Sequence, residues 1–358
     1  MSVPDRTEQE SSAKATPEPS RRQRGIFSWG LTTYHQKLLI NILALIILSA
    51  AIALLTDRFL TQKNITNVLR TVAPVIIVGS AFTLLMVSRM LDLSVGSVLA
   101  LSGCVAALTV PHLPVPLAFL VGILSGTLVG LINATLAIPI GINSVIATIG
   151  TLYIVRGSVQ LLTGGVAVYG VPEGYTAFGG GAILGIPNPV WVLLVVVAIF
   201  YFLERFTLVG RYSVAVGSNP EASRLSGVPG RQVQALLFVL TGTMAGLAGV
   251  LLSSRLRSGQ VNVGVGFEFD VIVATVLGGT ILAGGEGTVI GTVIGALIVG
   301  VLKNGLNLLG VPAFWQTVAQ GVVLVLAVAL DVFLRQRLTN RMRRAEMAKL
   351  QQSAGMEA

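Results

Sequence analysis

Long apolar runs separated by short polar or Pro-Gly breaks dominate the chain. A helix needs about 20 apolar residues to cross about 30 Å of hydrocarbon at 1.5 Å per residue. Runs of that order cover Leu38 to Leu55, Thr71 to Val87, Leu93 to Val110, Pro114 to Ile138, Asn143 to Leu162, Val190 to Phe206, Gln232 to Ser253, Phe269 to Ala283, Thr288 to Leu309 and Phe314 to Leu334. The third is entered through the polar break SRMLDLS, and the fifth and sixth are separated by the glycine-rich TGGVAVYGVPEGYTAFGGG. The eighth is short, which predicts a broken or tilted element. The pattern predicts an all-α polytopic membrane protein of about ten transmembrane helices over residues 37–334, flanked by a disordered tail (1–36) and a basic tail (335–358).

Composition agrees. Hydrophobic residues make up 53% and charged residues 11% of the 358, where a soluble domain carries about 25% charge. The net charge of +9 is explained by where the cations lie. Arg21, Arg22 and Arg24 precede the first run, and Arg335, Arg337, Arg341, Arg343 and Arg344 follow the last. Basic flanks are retained on the cytoplasmic side, so both termini are expected inside and the count of spans is even. The longest polar loop, Glu204 to Arg231, then also falls inside with more Arg than Glu. Arg255 and Arg257, in an outer loop, run against the rule. No aromatic residues alternate with these cations, so no nucleic-acid partner is expected.

Small residues recur every four positions in Gly122, Gly126 and Gly130 and in Gly287, Gly291 and Gly295, a spacing that predicts close helix packing. The stretches PVIIVGSAFTLLMVSRMLDLSVGSVLA and DVIVATVLGGTILAGGEGTVIGTVIGA share an order of span, polar break, span. In the loop segment VGSNPEASRLSGVPGRQVQALLF, Asn219 and Pro220 can start a short helix and Gly227 and Pro229 can end it. Leu225 would be its apolar anchor, with Glu221 and Arg224 at the rim.

Catalytic chemistry is not encoded in any recognisable form. One cysteine, Cys104, and two distant histidines, His35 and His112, suit neither a disulfide nor a metal site. The P-loop, HExxH and serine-elbow patterns are missing from the sequence, so nucleotide hydrolysis would have to come from another polypeptide.

The segment NPEASRLSGV resembles the EAA-type coupling loop of ATP-binding cassette importer permeases. Together with LDLSVGSVLALSG, IATIGTLYIVRGSVQLLTGG, GFEFDVIVATVLGGTILAGGEGTVIGTVIGALIVGVLKNGLNLLG and FWQTVAQGVVLVLAV, it makes residues 60–332 similar to the ribose, xylose and autoinducer-2 family of permeases. The resemblance implies a type II-like importer permease in the bacterial inner membrane. Its partners would be a sugar-binding protein, a second permease copy or paralogue, membrane lipid, and ATPase subunits that bind the ATP and Mg. It places Glu221, Ala222, Ser223, Arg224, Leu225 and Gly227 at the ATPase contact. The family commonly leads into its Asp-Leu-Ser motif through Gly-Gly-Ile. Here Arg89, Met90 and Leu91 stand instead, which is expected to stiffen the break and crowd an adjacent path.

Polar groups inside spans are costly and face partners, the bundle interior or a watery pathway. On that ground Asp92, Ser94, Asn133, Asn143, Ser144, Asn304, Asn307, Gln316 and Gln320 are candidates for a sugar path, with Phe314 and Trp315 suited to a sugar's C–H face. Plain alternatives exist: Asn133 as a bridge between helices, and Phe314 and Trp315 as an interfacial belt. Arg156 reads as a brace to helix carbonyls or an acid, and Lys303 and Asp331 are expected at different depths. An ion-coupled carrier or channel acting without an ATPase is the rival reading, kept open by Asp92 at a broken element.

Overall fold

The computed structural model describes residues 21–312, 314–323, 325, 326 and 329. The chain divides into two units, Met1–Ile40 and Asn41–Ala358. In the first, the described residues belong to the start of α1 (Arg21–Leu55). The helix therefore begins inside the tail expected to be disordered. Pro19 is the last proline before it, and nothing beyond interrupts helical hydrogen bonding.

The second unit continues with α2 (Gln62–Val87), α3 (Val95–Thr109), α4 (Val115–Ala137), α5 (Ser144–Thr163), α6 (Glu173–Gly180), strands β1 (Ala182–Ile183) and β2 (Ile186–Pro187), α7 (Asn188–Phe206), α8 (Leu208–Ser218), α9 (Pro220–Leu225), α10 (Gly230–Leu256), α11 (Phe267–Leu277) and α12 (Val289–Leu308). Residues 314–323 are helical again. Among the described residues seven helices are long and apolar enough to cross a membrane. The third expected span is the 15-residue α3, only about 22 Å long. The eighth is the 11-residue α11 followed by irregular residues 278–288, a broken element as its short apolar run predicted.

Caps set the boundaries. The Thr61 hydroxyl accepts from the Asn64 amide and starts α2 nine residues before the expected Thr71. Its first turns are polar, so an apolar run misses them. Asn143 caps α5, Thr207 caps α8 and Thr288 caps α12. Helix α12 gains a second anchor at its start, because Glu204 of α7 accepts from the Val289 amide at 2.8 Å. The glycine-rich segment after α5 is not a bare loop. It holds α6 and the β1–β2 hairpin, with the Tyr175 hydroxyl buried 2.7 Å from Ser253 Oγ of α10.

Helix α2 is the centre of the bundle: 78% of its most apolar window is buried, against 6% for Leu38–Leu55. A helix apolar on every side and buried on every side is a core helix. Around it, α4 and α10 meet backbone to backbone. A Cβ on Gly126 would lie 2.5 Å from the Gly242 carbonyl oxygen, and one on Gly242 at 2.5 Å from that of Gly126. Gly295 faces the Ala274 carbonyl and Gly291 that of Gly278. The four-residue glycine spacings are thus close-packing seams, as expected.

Candidate functional site

The expected path residues fall into separate groups. The first surrounds residues 88–94, the irregular break between α2 and α3. Asp92 is 1% exposed. Its Oδ1 accepts from the Ser94 amide at 2.9 Å and the Ser94 hydroxyl at 2.6 Å, and Asn133 Nδ2 lies 3.2 Å from both carboxylate oxygens. Asn133 also donates to Ser94 Oγ at 2.8 Å. Three neutral donors, the Ser94 amide and hydroxyl and the Asn133 amide, satisfy this carboxyl group. The break is docked to α5 as well: the Leu91 amide donates to Ser144 Oγ at 3.3 Å and the Leu93 amide to Thr148 Oγ1 at 3.0 Å. Asn143 is occupied in capping, accepting from the Val145 and Ile146 amides. Asp92, Ser94, Asn133 and Ser144 therefore come together, with hydrogen bonds made within the protein except at Asn133 Oδ1, which is buried without a partner among the described residues.

Arg89 occupies the left-handed region at φ 67°, at a cost of about 1–2 kcal/mol for a residue with a Cβ. Its side chain turns to the end of α8, where Nε donates to the Gly217 carbonyl at 2.5 Å and Nη2 to that of Ser218 at 3.2 Å. Those carbonyls are unpaired ends of a helix, where a cation is favoured.

A second break, residues 278–288, separates α11 from α12 and touches the first. The Gly285 amide donates to the Val87 carbonyl at 2.8 Å. Thr83 and Thr292, on the helices flanking the two breaks, share a hydroxyl hydrogen bond of 2.6 Å. The two stretches that echo one another in sequence are thus neighbours in space.

About 36 Å away along α2, its first turn carries Asn64, whose amide exchanges two hydrogen bonds of 2.9 Å with Asn304 of α12. At the preceding residue of α12, Lys303 Nζ lies 2.6 and 2.7 Å from the two Asp270 oxygens. Gln320 donates to the same carboxylate. The pair is partly open, with side-chain exposures of 32% for Lys303 and 18% for Asp270. Sequence reasoning passed over Asp270 and weighed Lys303 only against Asp331, which lies outside the described residues. Asn307, Phe314 and Trp315 are exposed, while Gln316 is tied to the Val311 carbonyl at 3.0 Å. Arg156 braces the chain between α10 and α11, donating to the Val261 and Val263 carbonyls at 3.0 and 2.9 Å. Arg255, against the orientation rule in sequence, donates to the Arg70 carbonyl at 3.2 Å and to Asn67 Oδ1 at 3.4 Å.

The expected loop helix is α9, six residues capped by Asn219 Oδ1, which accepts from the Ala222 amide at 3.0 Å, and ended at Gly227 with φ 74°. Leu225 is 74% exposed. Glu221 and Arg224 form an exposed pair at 2.6 Å, and the carboxylate holds the guanidinium above its usual range. Ser223 turns inward and is buried. Helix α8, before it, was not anticipated.

Residues 64–328 match the profile of a family described as the permease component of a branched-chain amino acid transport system. Among curated proteins the chain is 39% identical to the ribose import permease protein of Haemophilus influenzae over 301 residues, covering 82% of this chain and 93% of that protein. It is 39% identical to the ribose import permease protein of Bacillus subtilis over 292 residues (81% and 91%) and 39% identical to an L-arabinose ABC transporter permease protein of Azospirillum brasilense over 301 residues (83% and 88%). No solved structure matches. The chain belongs to this family of multi-spanning transport-system permease components.

Proposed function

We propose that the chain is the permease subunit of a binding-protein-dependent ABC importer for a monosaccharide or related polyol, in the bacterial inner membrane. The observation that carries the sugar reading is that relatives named as a ribose import permease and an L-arabinose ABC transporter permease each align over more than four fifths of the chain. Ten crossings with both termini inside fit α1 to α5, α7, α10, the broken α11, α12 and the helix through residue 323. In that orientation α8 and α9 face the cytoplasm. Glu221, Ala222, Ser223, Arg224, Leu225 and Gly227 form the knob that docks on a partner ATPase, with exposed Leu225 as its apolar anchor. The chain itself performs no hydrolysis; ATP and Mg bind to that partner.

Sugar hydroxyls need donors and acceptors that can exchange. Lys303, Asp270, Gln320 and Asn307 are the accessible ones, and with Asn304, Phe314, Trp315 and Gln316 they form the proposed outer part of the path. Asp92, Ser94, Asn133, Asn143 and Ser144 are proposed to shape its inner end, most of their groups already committed and Asn133 Oδ1 left without a partner among the described residues. A second permease copy or paralogue completes the conduit, and a periplasmic or extracellular binding protein loads it.

Uptake by the complete transporter in proteoliposomes tests this. ATP-dependent accumulation of ribose, L-arabinose or D-allose, lost in Glu221→Ala/Arg224→Ala/Leu225→Ala while the protein remains in the membrane, is the expected result. Accumulation by this chain alone without ATP would favour the solitary carrier and defeat the proposal.

A further inference from the structure

We infer that Arg89 is the link through which the α8–α9 segment pulls on the two helix breaks, so that it transmits the return stroke of the transport cycle. The inference rests on the reading of α8–α9 as the ATPase contact. Three observations converge. Gly217, at the end of α8, sits at the junction of both breaks: a Cβ there would collide with the Val87 carbonyl, and its distance to the Gly285 amide nitrogen would be 2.5 Å. Those two groups are themselves hydrogen-bonded. Arg89 then reaches from the first break to the carbonyls of Gly217 and Ser218, immediately before Asn219, the cap of α9.

Packed surfaces transmit compression but separate under tension, since dispersion contacts fall off steeply with distance. Gly217 pressed on Val87 can therefore push the breaks. Pulling requires a bond, and charge-assisted hydrogen bonds from Arg89 supply it. The link lies beside a cavity of about 640 Å³ lined by Met90, Val216, Pro220, Arg224, Val228 and Gln232, among others. That space separates the first break from much of α9 and leaves the guanidinium as a bridge along its edge. Across the same break, Gln234 of α10 donates to the Ser88 carbonyl at 2.8 Å, anchoring the neighbouring residue to a span. The positive φ of Arg89 fits this role. Glycine would satisfy that backbone without strain but could not reach α8.

The test uses the complete transporter with its partner ATPase, in a Cys104→Ala background. Cysteines introduced by Met90→Cys, on the break, and Ser226→Cys, at the exposed end of α9, are labelled with a maleimide in the nucleotide-free and vanadate-trapped states. With Arg89 in place both labelling rates should change on trapping. In Arg89→Gly the change should persist at position 226 and shrink at position 90 by about tenfold, the scale of a coupling carried by one charged link. Arg89→Lys should restore part of it. A merely structural role would alter neither difference selectively, and removing the strained φ should keep the Arg89→Gly protein folded, as its melting temperature would report. A nucleotide-dependent change at position 90 that survives Arg89→Gly overturns the inference and leaves the coupling reading standing. Indifference of position 226 to nucleotide in the Arg89 protein overturns both.

Discussion

The two helix breaks solve one problem in opposite ways. Each joins two successive helices, and each must satisfy backbone groups freed inside an apolar bundle. Residues 88–94 are held by side chains: Asp92, Ser94, Ser144 and Thr148 accept or donate around a buried carboxylate, and a strained arginine replaces the conformational freedom of glycine. Residues 278–288 are held by backbone. Gly279, Gly284 and Gly285 take φ of 93°, 83° and 89°, and Gly278 and Gly291 meet without room for a Cβ. This break keeps an acid of its own, Glu286, while Asp270 of α11 pairs with Lys303. A break braced by side chains tolerates larger residues but not the loss of a polar group. One braced by backbone behaves in reverse.

The largest expected effect comes from Asp92→Ala. It removes the acceptor for Ser94 and Asn133 in a site without water access, and several unsatisfied donors at about 1–3 kcal/mol each should cost about 4 kcal/mol. Unfolding in mixed micelles titrated with SDS would measure it, and Asp92→Asn should recover more than half. A loss below 1 kcal/mol for Asp92→Ala would break the contrast between the breaks.

Next is the ion pair at the ends of α11 and α12 remote from the second break. Lys303→Met leaves Asp270 with a hydrogen bond from Gln320 but no cation and should cost about 3 kcal/mol, because an uncompensated, partly buried charge is dearer than a removed pair. Lys303→Met with Asp270→Leu should restore most of that stability in the same assay. Uptake should stay low in the double variant if these groups line the sugar path.

Gly284→Ala should follow at about 2 kcal/mol. The position demands positive φ, and a Cβ would strike the Arg89 side chain and the Val87 carbonyl. At the equivalent point of the first break, Arg89→Gly should be nearly neutral, relief of strain offsetting two lost hydrogen bonds. Equal losses at the two positions would show that the breaks are not held differently.

Much of this was legible in sequence, for identifiable reasons. SRMLDLS and the shortness of the eighth apolar run announced both breaks, because polar residues and truncated runs are costly in hydrocarbon. The glycine spacings announced the α4–α10 and α11–α12 seams, and Asn219 with Gly227 announced α9. What escaped depends on tertiary proximity. Asp270 and Lys303 are 33 positions apart and meet only because the second break folds α12 back along α11. Asn64 lies in a polar helical turn that resembles a loop, yet it finds Asn304 at 240 positions' remove. Asp92 was noticed as a path residue, while its cage, closed by Asn133 from α4, required the fold. Tyr175 is silent in sequence because one tyrosine in a glycine-rich stretch carries no period.

The smallest expected effect decides whether the breaks move as one. The Thr83–Thr292 bond ties the helices that flank them, and Thr83 also donates within its own helix to the Gly79 carbonyl at 2.6 Å. Thr83→Val and Thr292→Val should each cost about 1 kcal/mol, the net value of one buried hydrogen bond plus its orphaned partner. The double variant should cost less than their sum by about 0.5–1 kcal/mol, since the second substitution removes an oxygen already left alone. If the breaks are one mechanical unit, that coupling energy should differ between the nucleotide-free and vanadate-trapped complexes, because a bond across a moving joint is strained in one state. A coupling energy identical in both would mean that α2 and α12 travel together. The motion would then have to be confined to the residues between the breaks and α8, where Arg89 is the connection.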